Sequence, residues 1–454
     1  MTPPPFLAHS LAAIGLTNHQ AITLAVLAGV VAAMIMDRWR ADVVALTGAA
    51  VLLMTGAVRP IEVQVAFASP AIIALASLFV IAYAMERSGL LDKAIAGGVW
   101  LARRAGATGI WIVMAMCGAV SAFLNNTPIV VLAAPVIRDV ASNVGLDARR
   151  YLMPLSYITV LGGCCTLIGT STNLLVNDMA RANEVTPFTM FEIAPVGLAV
   201  ALAGGLFLYL FSGRLIRFED NLASTPAEEA VRKLPARQGD HSASIGKAAV
   251  FAPVQRFDGW RAFASFAVFV GAIAIAAAGI APIAATAFSG AILLILIKAI
   301  EPDEAYRGLR PEILMLIAGM VVIGIAMEET GLAKAATERL IDTIGPMGPL
   351  FALVVFYGAS LFLTELLSNA TVAVLLTPVA VSLAEGLGVS PKPFIAAVML
   401  SASAAFATPF GYQTNALVYQ LGGYRYMDFV RVGLPLDLIT WAVACAVIPI
   451  AFPF

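Results

Sequence analysis

Apolar residues run along this chain in stretches of the length that crosses a bilayer, joined by short polar segments. A spanning helix needs about 20 mostly apolar residues. Stretches of that kind fall at 20–36, 41–57, 70–86, 151–177, 190–212, 261–280, 282–299, 312–328, 393–421 and 432–452, which predicts ten spans. Two further stretches, 108–142 and 346–384, are each long enough for a pair of helices, but polar residues break them at the centre. The breaks read Leu124-Asn125-Asn126-Thr127-Pro128 and Leu367-Ser368-Asn369-Ala370-Thr371. Polar backbone at membrane depth is tolerated only where protein or a water-filled cavity covers it. Both stretches are therefore read as re-entrant hairpins that dip in and return to the same side.

The two halves share local text. Ala84-Met85-Glu86-Arg87-Ser88-Gly89-Leu90 matches Ala326-Met327-Glu328-Glu329-Thr330-Gly331-Leu332, an offset of 242. Gly169-Thr170-Ser171-Thr172-Asn173 matches Gly411-Tyr412-Gln413-Thr414-Asn415 at the same offset, and Asn126 pairs with Asn369 at 243. A repeat this long indicates duplication of a whole half and not a solenoid. Each half then holds five crossings and one hairpin; five is odd, so the second half must sit upside down relative to the first. The expected fold is an all-α integral membrane protein of two inverted repeats, 1–217 and 259–454, joined by a polar cytoplasmic linker at 218–258.

Composition fits this reading. Hydrophobic residues make up 60% of the 454 and charged residues 12%, about half the charged share of a soluble domain, so membrane lipid is an expected partner. Net charge is -1, which gives no reason to expect nucleic acid. The N-terminal segment carries Pro3-Pro4-Pro5 and no Lys or Arg before Gln20, so no cleaved signal is expected. With both termini outside, the external segments hold only Arg59, Arg181, Lys334, Arg339 and Lys392, and the other Lys and Arg lie inside, as the positive-inside rule requires. The expected location is a bacterial inner (plasma) membrane. Cys117, Cys164, Cys165 and Cys445 fall in apolar runs without metal-site spacing. His9, His19 and His241 lie outside the apolar stretches, which excludes a histidine relay at membrane depth.

Four polar breaks carry the candidate chemistry: the two hairpin tips and the interruptions Ile168-Gly169-Thr170-Ser171-Thr172-Asn173 and Ala407-Thr408-Pro409-Phe410-Gly411. Gly and Pro unwind the helix there. Freed carbonyls with Asn, Ser and Thr oxygens make a neutral cage for a sodium ion, and helix N-termini suit an anion. No Lys or Arg lies at the centre of a span. The candidate anion-binding set is Asn125, Asn126, Thr127, Thr170, Ser171, Ser368, Asn369, Ala370, Thr371, Thr408 and Pro409. Glu365 reads as the single carboxylate deep in an apolar stretch, Asp437 being placed near a span end; its counterpart in the first half is Ala122. It is a candidate proton-coupling group, a cation ligand or a paired structural residue.

At these residues the chain resembles the divalent-anion:sodium symporter family. Phe123 to Pro128, Cys165 to Asn173, Thr364 to Asn369 and Ala407 to Asn415 look most like its sulfate-permease-like branch, within the ion transporter superfamily. The resemblance covers nearly the whole chain, with all four elements in order. It implies one sodium site at Ser121, Asn126 and the Gly169 carbonyl, a second at Thr364, Asn369 and the Ala407 carbonyl, with Asn173 and Asn415 beside them. It also implies scaffold and transport domains, an elevator motion and a homodimer. Asn125 stands where the family has Ser, and Ala370 where Thr is usual.

The expected function is sodium-coupled transport of a small divalent anion, sulfate first. Transport of a C4-dicarboxylate or citrate, and proton-coupled anion export through Glu365, stay open. An intramembrane enzyme needs a catalytic pair at depth, and the sequence offers none.

Overall fold

The computed structural model describes residues 17–36, 38–143, 145–216, 257–335, 337, 347–409 and 411–454. The expected linker lies almost wholly outside these, as do the first 16 residues, Arg339 and Phe410. Among the described residues every regular element is a helix. The first half comprises α1 (Asn18–Met36), α2 (Ala41–Met54), α3 (Pro60–Phe67), α4 (Pro70–Arg87), α5 (Leu90–Ser121), α6 (Asn126–Asn143), α7 (Arg149–Gly163), α8 (Ser171–Ala182) and α9 (Ala194–Leu215). The second comprises α10 (Gly259–Ala277), α11 (Ile283–Leu296), α12 (Pro302–Gly308), α13 (Pro311–Glu329), α14 (Pro349–Leu366), α15 (Asn369–Leu387), α16 (Lys392–Ser401), α17 (Gln413–Gly422) and α18 (Tyr426–Ala451).

Local chemistry starts and stops these helices. Proline stands at the first position of α3, α4, α12, α13 and α14, where its missing N–H has no intrahelical partner to lose. Ser69 caps α4 by accepting from the Ala71 N–H at 3.1 Å, and Asp258 caps α10 by accepting from Trp260 and Arg261. Gly89 and Gly331 follow α4 and α13 with φ of 72° and 70°, a left-handed turn that glycine adopts without steric cost. The short helices α3 and α12 were not anticipated from the sequence, because each lies in a connection between two expected spans. In both, a carboxylate in the first turn accepts from the N-cap backbone, Glu62 from the Arg59 N–H at 2.7 Å and Glu304 from the Glu301 N–H at 3.4 Å.

Two expected spans prove discontinuous. The 151–177 stretch divides into α7 and α8, separated by non-helical residues 164–170, and 393–421 divides into α16 and α17, separated by 402–412. The arms of each expected hairpin pack on each other: the part of α5 beyond its kink at Gly106 against α6, and α14 against α15. The last span starts earlier than expected, at Tyr426 in place of 432, where Asp428 accepts from the Arg425 N–H at 2.8 Å.

The helices pack in two groups. In one, α2 lies on α13 and α4 on α11, with α1 and α10 beside them. Gly48 and Gly290 allow close approach to Val30 and Val268 respectively. In the other, the hairpins surround the divided helices, and α9 packs along α18. The groups meet where α13 touches α15 and α8, and where α4 touches α5 and α8.

Candidate functional site

The first hairpin tip builds its pocket from uncharged oxygens. Ser121 ends α5 and donates from Oγ to Asn126 Oδ1 at 2.6 Å. Asn126 begins α6 and is 1% exposed. Behind it, the Thr166 hydroxyl donates to the Ala122 carbonyl and accepts from the Gly169 N–H at 3.1 Å. This folds the 164–170 segment back on the tip. A carbon added to Gly163 would sit 2.8 Å from Asn126 Oδ1 and 3.2 Å from the Gly169 oxygen. A side chain at either glycine would fill the cradle that these oxygens form. Asn173 donates from Nδ2 to the Thr166 carbonyl at 2.9 Å and keeps a buried Oδ1 without a donor.

The second tip repeats the pattern. Thr364 Oγ1 lies 2.8 Å from the Ala402 oxygen and 3.2 Å from Asn369 Oδ1, one proton for two acceptors. The Asn369 amide end also faces the Ala402 and Gly411 carbonyls, each at 3.2 Å. With the oxygen turned inward, four oxygens converge with too few protons, which suits a cation; with the amide turned over, its nitrogen faces all three acceptors with two N–H bonds to share among them. Thr408 accepts from the Gly411 N–H at 3.1 Å, as Thr166 does from Gly169. Asn415 donates to the Ala405 and Thr408 carbonyls, as Asn173 does to Thr166.

Three placements differ from the expected ones. The carbonyls facing Asn369 belong to Ala402 and Gly411, whereas Ala407 presents its N–H to Glu365 Oε1 at 2.8 Å. The offset of 242 from Gly169 already pointed to Gly411. Asn415 Oδ1 accepts from Ser156 at 2.7 Å, so that oxygen is engaged away from the cage. Asp437 lies near the middle of α18, 3% exposed, with its carboxyl group turned to Glu365. Glu365 therefore has a carboxyl partner at depth; the late helix start assumed from the sequence had hidden it.

The first tip is tied directly to the second break. Asn126 Nδ2 donates to Tyr412 Oη at 2.8 Å, Thr170 Oγ1 lies 3.5 Å from the same oxygen, and Thr127 Oγ1 meets Gln413 Oε1 at 3.3 Å. Tyr412 follows Gly411, whose carbonyl faces Asn369. The four helices α6, α8, α15 and α17 begin at these breaks, at Asn126, Ser171, Asn369 and Gln413. Some of their terminal amides are capped: Thr127 N–H by Asn125, Thr172 N–H by Thr170, and Thr371 N–H by Ser368. Thr371 also points its hydroxyl at Met34 of α1. Asn125, Gly169 and Ser171 share a cavity of about 30 Å³ with Leu75 and Phe79 of α4. Ala370 lies at the second tip and Pro409 in the second break. Tyr412, Gln413, Thr166, Gly163 and Ala402 join the site although sequence reading did not single them out.

The profile of the citrate transporter family, CitMHS, matches residues 31–388 and 366–454. An uncharacterized transporter, sll0640, of Synechocystis sp. is 25% identical over 92% of this chain and 95% of its own length. Sodium/sulfate cotransporter 1 of Chlamydomonas reinhardtii is 33% identical over 34% of this chain and 18% of its own. The sodium-dependent dicarboxylate transporter SdcS of Staphylococcus saprophyticus is 22% identical over 89% of this chain and 80% of its own.

Proposed function

Because the chain belongs to the citrate transporter family, we propose that it is a secondary active transporter that moves a small divalent anion, sulfate first, coupled to sodium by alternating access. The observation that carries this reading is the pair of oxygen-lined pockets at Asn126 and Asn369, joined through Tyr412 and Gly411 beside four helix N-termini. Sodium at the first pocket takes Asn126 Oδ1, Ser121 Oγ and the Gly169 carbonyl, with Asn173 beside them; at the second it takes Asn369, Thr364 and the Gly411 and Ala402 carbonyls. The resulting positive charge complements an anion held by helix ends and by Thr127, Ser171 and Thr408, with no basic side chain at the centre among the described residues. The names of the relatives support sodium and a divalent anion of this size.

The inverted repeat belongs to the same proposal. Its support is the recurrence of Gly89 at Gly331, of Glu62 at Glu304 and of Gly48 at Gly290, each at 242, and the reciprocal packing of α2 on α13 and α4 on α11. The group containing α1–α4 and α10–α13 serves as scaffold, and the group containing the hairpins moves against it as an elevator. A homodimer in a bacterial inner membrane, with both termini outside, completes the reading.

Purified protein in liposomes tests it. An inward sodium gradient should drive uptake of labelled sulfate. Uptake that ignores sodium and follows a pH gradient overturns the coupling. Sodium-driven succinate uptake without sulfate uptake overturns the choice of anion.

A further inference from the structure

We propose that Glu365 and Asp437 hold a further sodium ion between their carboxyl groups, at a site separate from the two hairpin pockets; this rests on the sodium-coupled reading above. Glu365 stands on α14 and spends Oε1 on the Ala407 N–H at 2.8 Å. Its Oε2 is shielded from solvent and meets no donor. Asp437 is 3% exposed, and its Oδ1 also meets no donor. The two carboxyl groups face each other.

Packing holds Asp437 in that direction. Gly433, one turn earlier on α18, is pressed so closely on the Phe406 carbonyl that an added Cβ would overlap it. The face of α18 that carries Asp437 therefore lies on the 402–412 break, and the backbone at Phe406 and Ala407 reaches the Asp437 carboxyl. The Tyr157 hydroxyl is spent on the Phe406 carbonyl at 2.7 Å. Thr408 reaches the Glu365 carboxyl and adds a neutral oxygen.

Two facing carboxylates withdrawn from water repel each other and lose their hydration. A small cation between them answers both costs, and hard oxygen donors suit it. The site has no counterpart in the first half, where Ala122 occupies the position of Glu365 and Pro195 that of Asp437. Coupling therefore enters asymmetrically, through the hairpin whose tip carries Asn369.

Equilibrium binding of radioactive sodium to the purified full chain, with no anion added, tests this without relying on transport. Asp437→Asn and Glu365→Gln should each bind one sodium fewer per chain than the wild type. Asn126→Ala should lose a different one, so that the double variant Asn126→Ala with Asp437→Asn loses two. Monodisperse elution and an unchanged helical circular dichroism spectrum establish that a variant is folded, and the two carboxyl variants lie on different helices. A sodium count unchanged in both folded carboxyl variants overturns the site while leaving the hairpin pockets standing. A wild type that binds no sodium overturns the coupling as well. A chain that fails to move sulfate yet loses one sodium in Asp437→Asn supports the site and sinks only the choice of anion.

Discussion

Asn126 Nδ2 donates to Tyr412 Oη at 2.8 Å, so residues 286 apart in the chain share one hydrogen bond. Through it the tip of the first hairpin touches the second break, where Tyr412 follows the carbonyl that faces Asn369. Tyr412→Phe removes the acceptor and leaves the ring. A lost buried hydrogen bond costs about 1 kcal/mol, so half-saturating sodium for uptake should rise roughly fivefold. Sodium titration of uptake in liposomes checks this; an unchanged value removes Tyr412 from the coupling path.

Asn126→Ala and Asn369→Ala each delete the amide at the heart of a pocket. Losing a hydrogen-bonding group that faces a charge costs on the order of 2 kcal/mol, roughly thirtyfold in affinity. Both variants should reach the membrane in normal amount and show no sodium-driven uptake at sodium concentrations that suffice for the wild type. Wild-type transport in both would remove the proposed site.

Gly163→Ala places a methyl carbon 2.8 Å from Asn126 Oδ1, within the space a cation would occupy. It should abolish sodium binding at that pocket while the protein stays folded. Gly205→Ala on α9, where nothing lies within 4 Å, should bind and transport as the wild type does. Equal sodium binding in both variants would mean that the cradle is not a cation site.

Outside the membrane-spanning segments, Glu304 on α12 accepts from Arg87 at 2.8 Å. Burial pushes its carboxyl up, but the Arg87 hydrogen bond, with the Glu301 backbone and Arg261 behind it, holds it below the ordinary carboxylate value. A depressed carboxylate contributes stability above its unfolded pKa and loses it as pH falls through the folded one. The melting temperature of the wild type in detergent should exceed that of Glu304→Gln at pH 7, and the gap should close as pH falls below about 4. A gap that persists under acid would assign the difference to packing.

The hairpin tips and the divided helices were legible in the sequence because a bilayer penalises exposed polar backbone. An Asn-Asn-Thr-Pro or Ser-Asn-Ala-Thr within an apolar run therefore has few structural explanations. The offset of 242 was legible for a different reason: Gly89 and Gly331 both answer a backbone demand that other residues meet at a cost. Helix starts at charged positions were less legible. Asp428 and Arg431 fall before the expected start at 432, but Asp428 accepts from the Arg425 N–H and both lie in the first two turns of α18.

By itself the sequence determined an all-helical membrane chain, two polar tips and two breaks, since local hydrophobicity and backbone preference act over one or two turns. Only the tertiary structure decided that Gly411 and Ala402, not Ala407, turn their carbonyls to Asn369, that Tyr412 reaches Asn126, and that Asp437 meets Glu365. Those relations join positions tens to hundreds of residues apart. Which oxygen faces which depends on how closely helices approach, as at Gly433 on Phe406 and at Gly163 beside Asn126, and that approach is fixed by packing.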